Sequence, residues 1–451
     1  MATQKMETDV VFVGGGSAGL CGAVRAGELG LGAVVLEKLG SCGGDAMIAA
    51  GYWVAAGTAL QKEKGIMDTG EALYRYFMEF SAYKCRPDLI QVLADRAAAN
   101  IQWLEKQGLP MTKGIVTQGT APVPRVHQNE GMGGQYVRVM KERAEALGAR
   151  ILLKTGATSL ILEGDKVTGV MAQIDGGDTL EIRAKGVVLC TGGFGKNKEM
   201  LEEHLPFKRH VMVCAGWAQG DGVRLARQAG AAIADLNVCI GYKGEVPETA
   251  ALAMRGYFIL MASNYAVVNK RGERFMDESI WVTHFANALN TQPDATGYII
   301  LDEALRTGNP FTKLEKEVES GRVKKADSFE ALAVEAGLPK DRFTATMERY
   351  NRFANTGKDE DFGKQAPALT PVAQPPFYAM EIVPLVLNTA GGAVIDAGAR
   401  VLRPDGTAIP GLYAAGNNTA FFYTDYPSTG TGLQISSIFG QVAVETIKHS
   451  L

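Results

Sequence analysis

The chain has 451 residues, 46% of them apolar, and a formal net charge of −3. That length can bury a large core and divides into more than one domain. The charge balance gives no basic field, which excludes nucleic acid and an anionic membrane surface as partners, and no apolar run approaches the roughly twenty residues that cross a bilayer.

Met1 to Thr8 is short and polar ahead of the first strand, so the chain reads as a cytoplasmic protein. Residues 9–37 then read as a strand, a glycine turn, a helix and a second strand ending in Glu37. Gly14, Gly16 and Gly19 supply the G-x-G-x-x-G spacing. Backbone amides at such a helix start meet a pyrophosphate, the second glycine leaves room for it, and the third lets helix and strand pack closely. Glu37 is placed to accept hydrogen bonds from both ribose hydroxyls of an adenosine, which argues against a 2′-phosphate. Together these features predict dinucleotide binding.

From Arg86 to Gly108, Leu89, Ile90, Leu93, Ala97, Ile101 and Leu104 form one apolar stripe behind Pro87, which predicts a core-facing helix. A second helix is expected over 134–148, ahead of a short buried strand at Ile151-Leu152-Leu153. Between Thr158 and Arg183 brief strands broken by Glu163-Gly164-Asp165 and Asp175-Gly176-Gly177-Asp178 predict a small antiparallel sheet. Gly186–Gly195 returns to a buried strand ending in glycines, the place where open α/β sheets keep their ligands. Asp221 is placed to cap the next helix or to touch a cofactor. Helices are expected at 298–307, 327–336 and 340–355, in a stretch without a glycine fingerprint that reads as an inserted domain and ends in the proline-rich Pro367–Pro376. Six scattered cysteines without a C-x-x-C pair read as reduced, mostly buried thiols, and five distant histidines give no metal-ligand spacing.

Taken in order, Val11-x-x-Gly-Gly-Gly-Ser-Ala-Gly19, Thr191-Gly-Gly-Phe194, Gly220-Asp-Gly222, Asn269-x-x-Gly-Glu-Arg-Phe-x-x-Glu278, Asn388-Thr-Ala-Gly-Gly392 and Ile409-Pro-Gly-Leu-Tyr-Ala-Ala-Gly416 give the chain a resemblance to the flavoprotein superfamily of fumarate reductase and succinate dehydrogenase, which includes the 3-ketosteroid dehydrogenases. The resemblance implies an α/β protein: a Rossmann-like FAD-binding domain in two parts, 1–238 and 376–451, with a central parallel sheet and a small antiparallel sheet, and an inserted α+β capping domain, 239–375. It places FAD against Gly14, Gly16, Ser17, Ala18 and Gly19, then Glu37, Lys38, Ser41, Gly43, Gly44 and Asp45. Further on come Ala157, Thr191, Gly192, Gly193 and Asp221, and near the end Gly416, Asn417, Gly432, Leu433 and Ile435. Covalent members carry a histidine near the early glycines. Ser41-Cys42-Gly43-Gly44-Asp45 has none, so FAD is expected to be held non-covalently.

Fumarate-type members hold two carboxylates with histidine and arginine, yet Gly411 to Gly440 contains no His, Arg or Lys. A dianion there would meet no compensating cation, so a neutral or weakly polar substrate fits better. Tyr426-Pro-Ser-Thr-Gly430 is similar to the Tyr-Pro-x-x-Gly element of 3-ketosteroid dehydrogenases, where tyrosine hydroxyl and glycine amide both bind the substrate's carbonyl oxygen. The resemblance therefore implies α,β-desaturation of a ketone, or the reverse enone reduction, with Tyr426 and Gly430 polarising the carbonyl and Tyr52, Trp281, Phe422 and Ser428 contacting substrate. Val282 stands where relatives carry their proton-transfer residue, leaving His284 and Tyr265 as candidates, with Tyr52, Tyr242 and Tyr257 also open. Arg125 and His127 read as surface contacts in a polar loop. Two alternatives stay open: a fumarate- or urocanate-type reductase using Arg255 or Arg125, and a flavin-binding subunit that passes electrons to a partner.

Overall fold

The computed structural model describes residues 3–117, 121–214, 218–245, 263–308, 314–421 and 426–451. Two compact units result: Met1–Leu205, Cys214–Cys239 and Asn388–Leu451 form the first, and Pro206–Val213 with Ile240–Leu387 the second.

The first unit is built on an eight-stranded sheet. Strand Thr3–Val13 lies between Ala33–Leu36 and Thr179–Leu189, both parallel to it. Arg150–Leu152 and Ala408–Ala414 extend the parallel set on either side. Val10 to Val13 and Val187 to Leu189 are buried on both faces, as parallel strands under helices must be. The expected antiparallel strands, Thr155–Glu163 and Lys166–Ile174, grow out of this sheet through the long strand Thr179–Leu189. The apolar stripe behind Pro87 forms the helix Pro87–Lys106. It holds the closing helix Thr431–His449 in register: Asn100 accepts from Ser437 at 2.9 Å and Gln441 at 2.7 Å and donates to Gln434 at 3.2 Å. Such a satisfied buried network fixes one rotation of a helix where apolar packing alone would tolerate several.

The second unit pairs Gly297–Asp302 antiparallel with Phe377–Ile382 and with Ala266–Asn269. Helices Phe329–Ala336 and Lys340–Thr356 cover one face through Leu332, Phe343, Met347 and Tyr350. The helix expected at 298–307 does not form over its first half. Residues 297–302 are the strand, and only Glu303–Gly308 is helical. Tyr-Ile-Ile-Leu is an apolar run in mid-sheet, and such a run carries no period that separates strand from helix. Among the described residues no helix is long and apolar enough to cross a membrane.

Candidate active site

Strands ending at Val13, Leu36, Leu189 and Ala414 deliver their carboxyl ends to one edge of the first sheet, where helix Ser17–Glu28 begins. Gly19 packs so tightly that a Cβ there would stand 2.0 Å from the Gly14 carbonyl oxygen. The helix start has no side-chain cap and no acidic residue in its first turn, which leaves its amides suited to an anion. Glu37 accepts from the amides of Gly15 (3.0 Å) and Leu39 (2.8 Å). These two bonds orient the carboxylate and leave it further acceptor capacity. Burial raises its pKa, with the amides pulling the other way.

The 41–45 loop folds back on this turn, with Gly43 N–H donating to the Gly15 carbonyl at 2.9 Å. Asp45 accepts from Asn388 Nδ2 at 2.7 Å, Thr191 Oγ1 accepts from Gly222 N–H at 2.9 Å, and Lys38 pairs with Asp221 at 3.2 Å. Gly193 faces Thr389 and Asn388, and Gly416 sits between Ala18 and Ser436. Ala157 lies on the strand Thr155–Glu163, and Ser41 is exposed. Two placements differ from expectation. Gly220 occupies the N-cap position ahead of Asp221–Gln228, and Asp221 makes no capping bond, its carboxylate being drawn to Lys38 and Arg224. Ser17 turns its hydroxyl to Tyr136 at 2.6 Å.

Sequence reasoning overlooked two amides at this edge. The side-chain oxygens of Asn388 and Asn418 are buried without a hydrogen-bond partner among the described residues. A buried orphan acceptor costs about 1–3 kcal/mol, so a ligand that donates to it is favoured. Asn418 is the fully buried neighbour of the expected Asn417, and Asn388 opened one of the motifs. With the uncapped helix start, the glycine turn and the oriented Glu37, these acceptors fit a dinucleotide carrying phosphates, ribose hydroxyls and a hydrogen-bonding ring.

The substrate turn also belongs to the first unit. Gly430, at a left-handed φ of 89°, is the N-cap of helix Thr431–His449. A Cβ there would lie 2.7 Å from Trp53 N, beside Tyr52. Gly432 N–H donates to the Tyr426 hydroxyl oxygen at 3.1 Å. Burial pushes this phenol up to about 12, against the amides of Gly432, Gly430 and Thr431, which pull it down. Tyr426 is therefore protonated at neutral pH. Ser428 is buried in the turn and donates to Thr429 O at 3.3 Å, Leu433 and Ile435 pack into the core, and Phe422 lies outside the described residues.

Residues 9–433 match the FAD binding domain family. The chain belongs to this family. It is 31% identical to a vinyl phenol reductase of Lactiplantibacillus plantarum over 91% of this chain and 90% of that one. It is 29% identical to an NADH:fumarate oxidoreductase of Klebsiella pneumoniae over 96% of this chain, which spans only 47% of that longer protein. Among solved structures, the 3-ketosteroid-Δ4-(5α)-dehydrogenase of Rhodococcus jostii RHA1, in complex with 4-androstene-3,17-dione, superposes with a TM-score of 0.82 at 25% identity, covering 98% of this chain and 97% of that one. The protein is thus an FAD-dependent oxidoreductase of the fumarate reductase and 3-ketosteroid dehydrogenase family, acting on CH–CH groups.

In the second unit of this flavoprotein, Tyr265 is buried in a core cluster, and burial, reinforced by the Glu278 charge, pushes its phenol well up. That opposes the phenolate a proton acceptor needs. His284 is exposed on helix Val282–Asn290, and Trp281 is the N-cap of that helix. Tyr257 and Arg255 lie outside the described residues.

Arg125 and His127 are not surface contacts. Both are buried, at 1% and 0% exposure, because their partners come from distant sequence: Arg125 forms a two-pronged pair with Asp68, and His127 Nε2 meets Thr58 Oγ1 at 2.8 Å. Burial holds the His127 imidazole down at about 4. Between pH 6.5 and about 4 the unfolded chain therefore takes a proton that the native imidazole refuses, and stability falls as pH falls, by roughly 3 kcal/mol across the window. Melting temperatures measured against pH should show this acid limb flattened in His127→Gln. An unchanged limb would assign the acid sensitivity to other groups.

Proposed function

We propose that this flavoprotein moves a hydride and a proton across the carbon–carbon bond next to an uncharged polar head, a ketone carbonyl first of all, as in a 3-ketosteroid or a cyclohexanone-like ring. The observation that carries the reading is the Tyr426 phenol, held by the Gly432 amide at the opening of helix Thr431–His449, in a stretch without His, Arg or Lys. Tyr426 O–H and the Gly430 amide would hold the carbonyl oxygen and stabilise the enolate as the α-carbon loses its proton, in the manner of an oxyanion hole. Bound FAD supplies the hydride acceptor or donor. Glu37, Asn388 and Asn418 are proposed to hold it without a covalent bond, so that denaturation releases it.

Among the described residues a carboxylate substrate loses one candidate partner, because the guanidinium of Arg125 is already paired with Asp68. A second reading has a specific support: the similarity to a vinyl phenol reductase along nearly all of both chains. A phenol is likewise an uncharged head for the same donors.

Anaerobic mixing tests the proposal. A 3-ketosteroid is expected to bleach the oxidised flavin, or cyclohex-2-enone or 4-vinylphenol to reoxidise the reduced flavin. If these leave the spectrum unmoved while fumarate reoxidises it in a salt-sensitive way, the uncharged-head reading is wrong and a carboxylate site takes its place.

A further inference from the structure

The buried pair Arg125–Asp68 is unemployed by the chemistry above, and its surroundings show what it does. Both side chains are 1% exposed. Asp68 accepts from Arg125 Nη2 (2.7 Å) and Nε (3.0 Å), from Gln61 Nε2 (3.0 Å) and from Thr69 N–H (3.0 Å), so the carboxylate is saturated. A buried pair gains little stability over apolar residues of the same volume, and in some proteins it is kept because it fixes a geometry. Here that geometry leads to the substrate turn by two routes.

Along the first, Thr69 caps helix Gly70–Phe80, whose Tyr76 ring lies 5.2 Å under the Arg125 guanidinium and whose Tyr76 hydroxyl donates to the Pro427 carbonyl at 2.7 Å. Along the second, Arg125 O accepts from Ala55 N–H at 2.9 Å, beside the antiparallel pairing of Tyr52–Val54 with Val126–Gln128, and the Tyr52–Trp53 backbone abuts Gly430. Pro427 and Gly430 flank the turn between Tyr426 and the helix start, so the two routes grip it at both ends.

We infer that Tyr76, seated on the buried Arg125–Asp68 pair, is a positioning residue that clamps the Tyr426–Gly430 turn and so sets where the polar head of the substrate is held. The clamp is a property of the protein alone. Its effect on turnover rests on the reading of Tyr426 and Gly430 as substrate donors.

Tyr76→Phe removes the bond to Pro427 and keeps the ring under Arg125. Hydrogen exchange on the holoenzyme is expected to quicken about five- to ten-fold in the peptide covering residues 427–433, the loss carried by one neutral hydrogen bond, and not elsewhere. With cyclohex-2-enone, kcat should fall by a similar factor with KM within twofold, and the loss should vanish when the change is made in a Tyr426→Phe background, since coupled residues are non-additive. Arg125→Lys, which keeps the charge on Asp68 but not the flat guanidinium over the ring, should quicken exchange in the same peptide. Unchanged exchange there in Tyr76→Phe overturns the clamp whatever the substrate proves to be. Faster exchange in an enzyme that ignores every ketone leaves the clamp standing and removes the ketone reading instead.

Discussion

Replacing Tyr426 by phenylalanine is expected to lower kcat about 10²–10³-fold toward a ketone or enone, the loss typical of one oxyanion donor. The phenol oxygen accepts from Gly432 N–H on its helix side, and in the proposed reading its hydroxyl proton is given to the substrate carbonyl. Phenylalanine keeps the ring and removes both functions. The cost to folding is smaller, about 1–3 kcal/mol for the stranded Gly432 amide. Most FAD retention should remain, because the glycine turn and Glu37 are untouched and only Gly432, among the residues expected to meet FAD, loses its bond to the phenol. The pH profile separates a donor from a base. With its ionisation at about 12, Tyr426 stays protonated through pH 10, so kcat/KM should show no limb from this phenol between pH 8 and 10. A limb in that window that disappears in Tyr426→Phe would make the phenolate the working form. A mutant that turns over at the wild-type rate would end the donor role altogether.

What the sequence disclosed follows from the range over which its signals act. The G-x-G-x-x-G turn, Glu37, the stripe behind Pro87 and the glycine that opens Thr431–His449 are local patterns, and each is found in its expected element. Gly297–Asp302 was hidden for the opposite reason, since a strand buried between Ala266–Asn269 and Phe377–Ile382 has no polar face to reveal its period. Arg125 and His127 look like loop polarity because Asp68 and Thr58, which bury them, stand 57 and 69 positions away. The same applies to Asn418, whose neighbour Asn417 carried the expectation. Only the return of the chain to the Leu189 strand end, where Asn418 Nδ2 donates at 3.0 Å, shows which of the two faces inward.

The motif Asn269-x-x-Gly-Glu-Arg-Phe-x-x-Glu278 served as a mark of kinship, and in the structure it is the scaffold of the second unit. Arg274 is held by both oxygens of Glu278 (2.9 and 3.0 Å) and both of Asp359 (3.1 and 2.9 Å). Lys364 adds a bond to Glu278 at 3.1 Å and donates to Tyr265 O at 2.7 Å. These side chains are at most 3% exposed. Burial works against the guanidinium's charge, but the bonds to Glu278 and Asp359 prevail and hold its pKa up. Burial likewise pushes Asp359 up, and Arg274 overcomes this to leave its carboxyl below the usual range.

Arg274→Met should therefore cost about 3–5 kcal/mol, the penalty for leaving a buried charge without its partner, because Asp359 would lose the guanidinium it pairs with while Lys364 stays on Glu278. In calorimetry of the holoenzyme this is a downward shift on the order of 10 °C in one component of the melt. The sign with pH is fixed. In the wild type the depressed Asp359 contributes stability above the unfolded value near 3.9, lost as pH falls through its lower native value. In Arg274→Met the same carboxyl loses its cation and takes up a proton more readily, so the gap between mutant and wild type should narrow as pH drops from 7 toward 5. Adding Asp359→Asn should recover part of the loss. A single mutant that melts within about 2 °C of wild type, or a gap that widens in acid, would show that the four-residue network does not hold the second unit together.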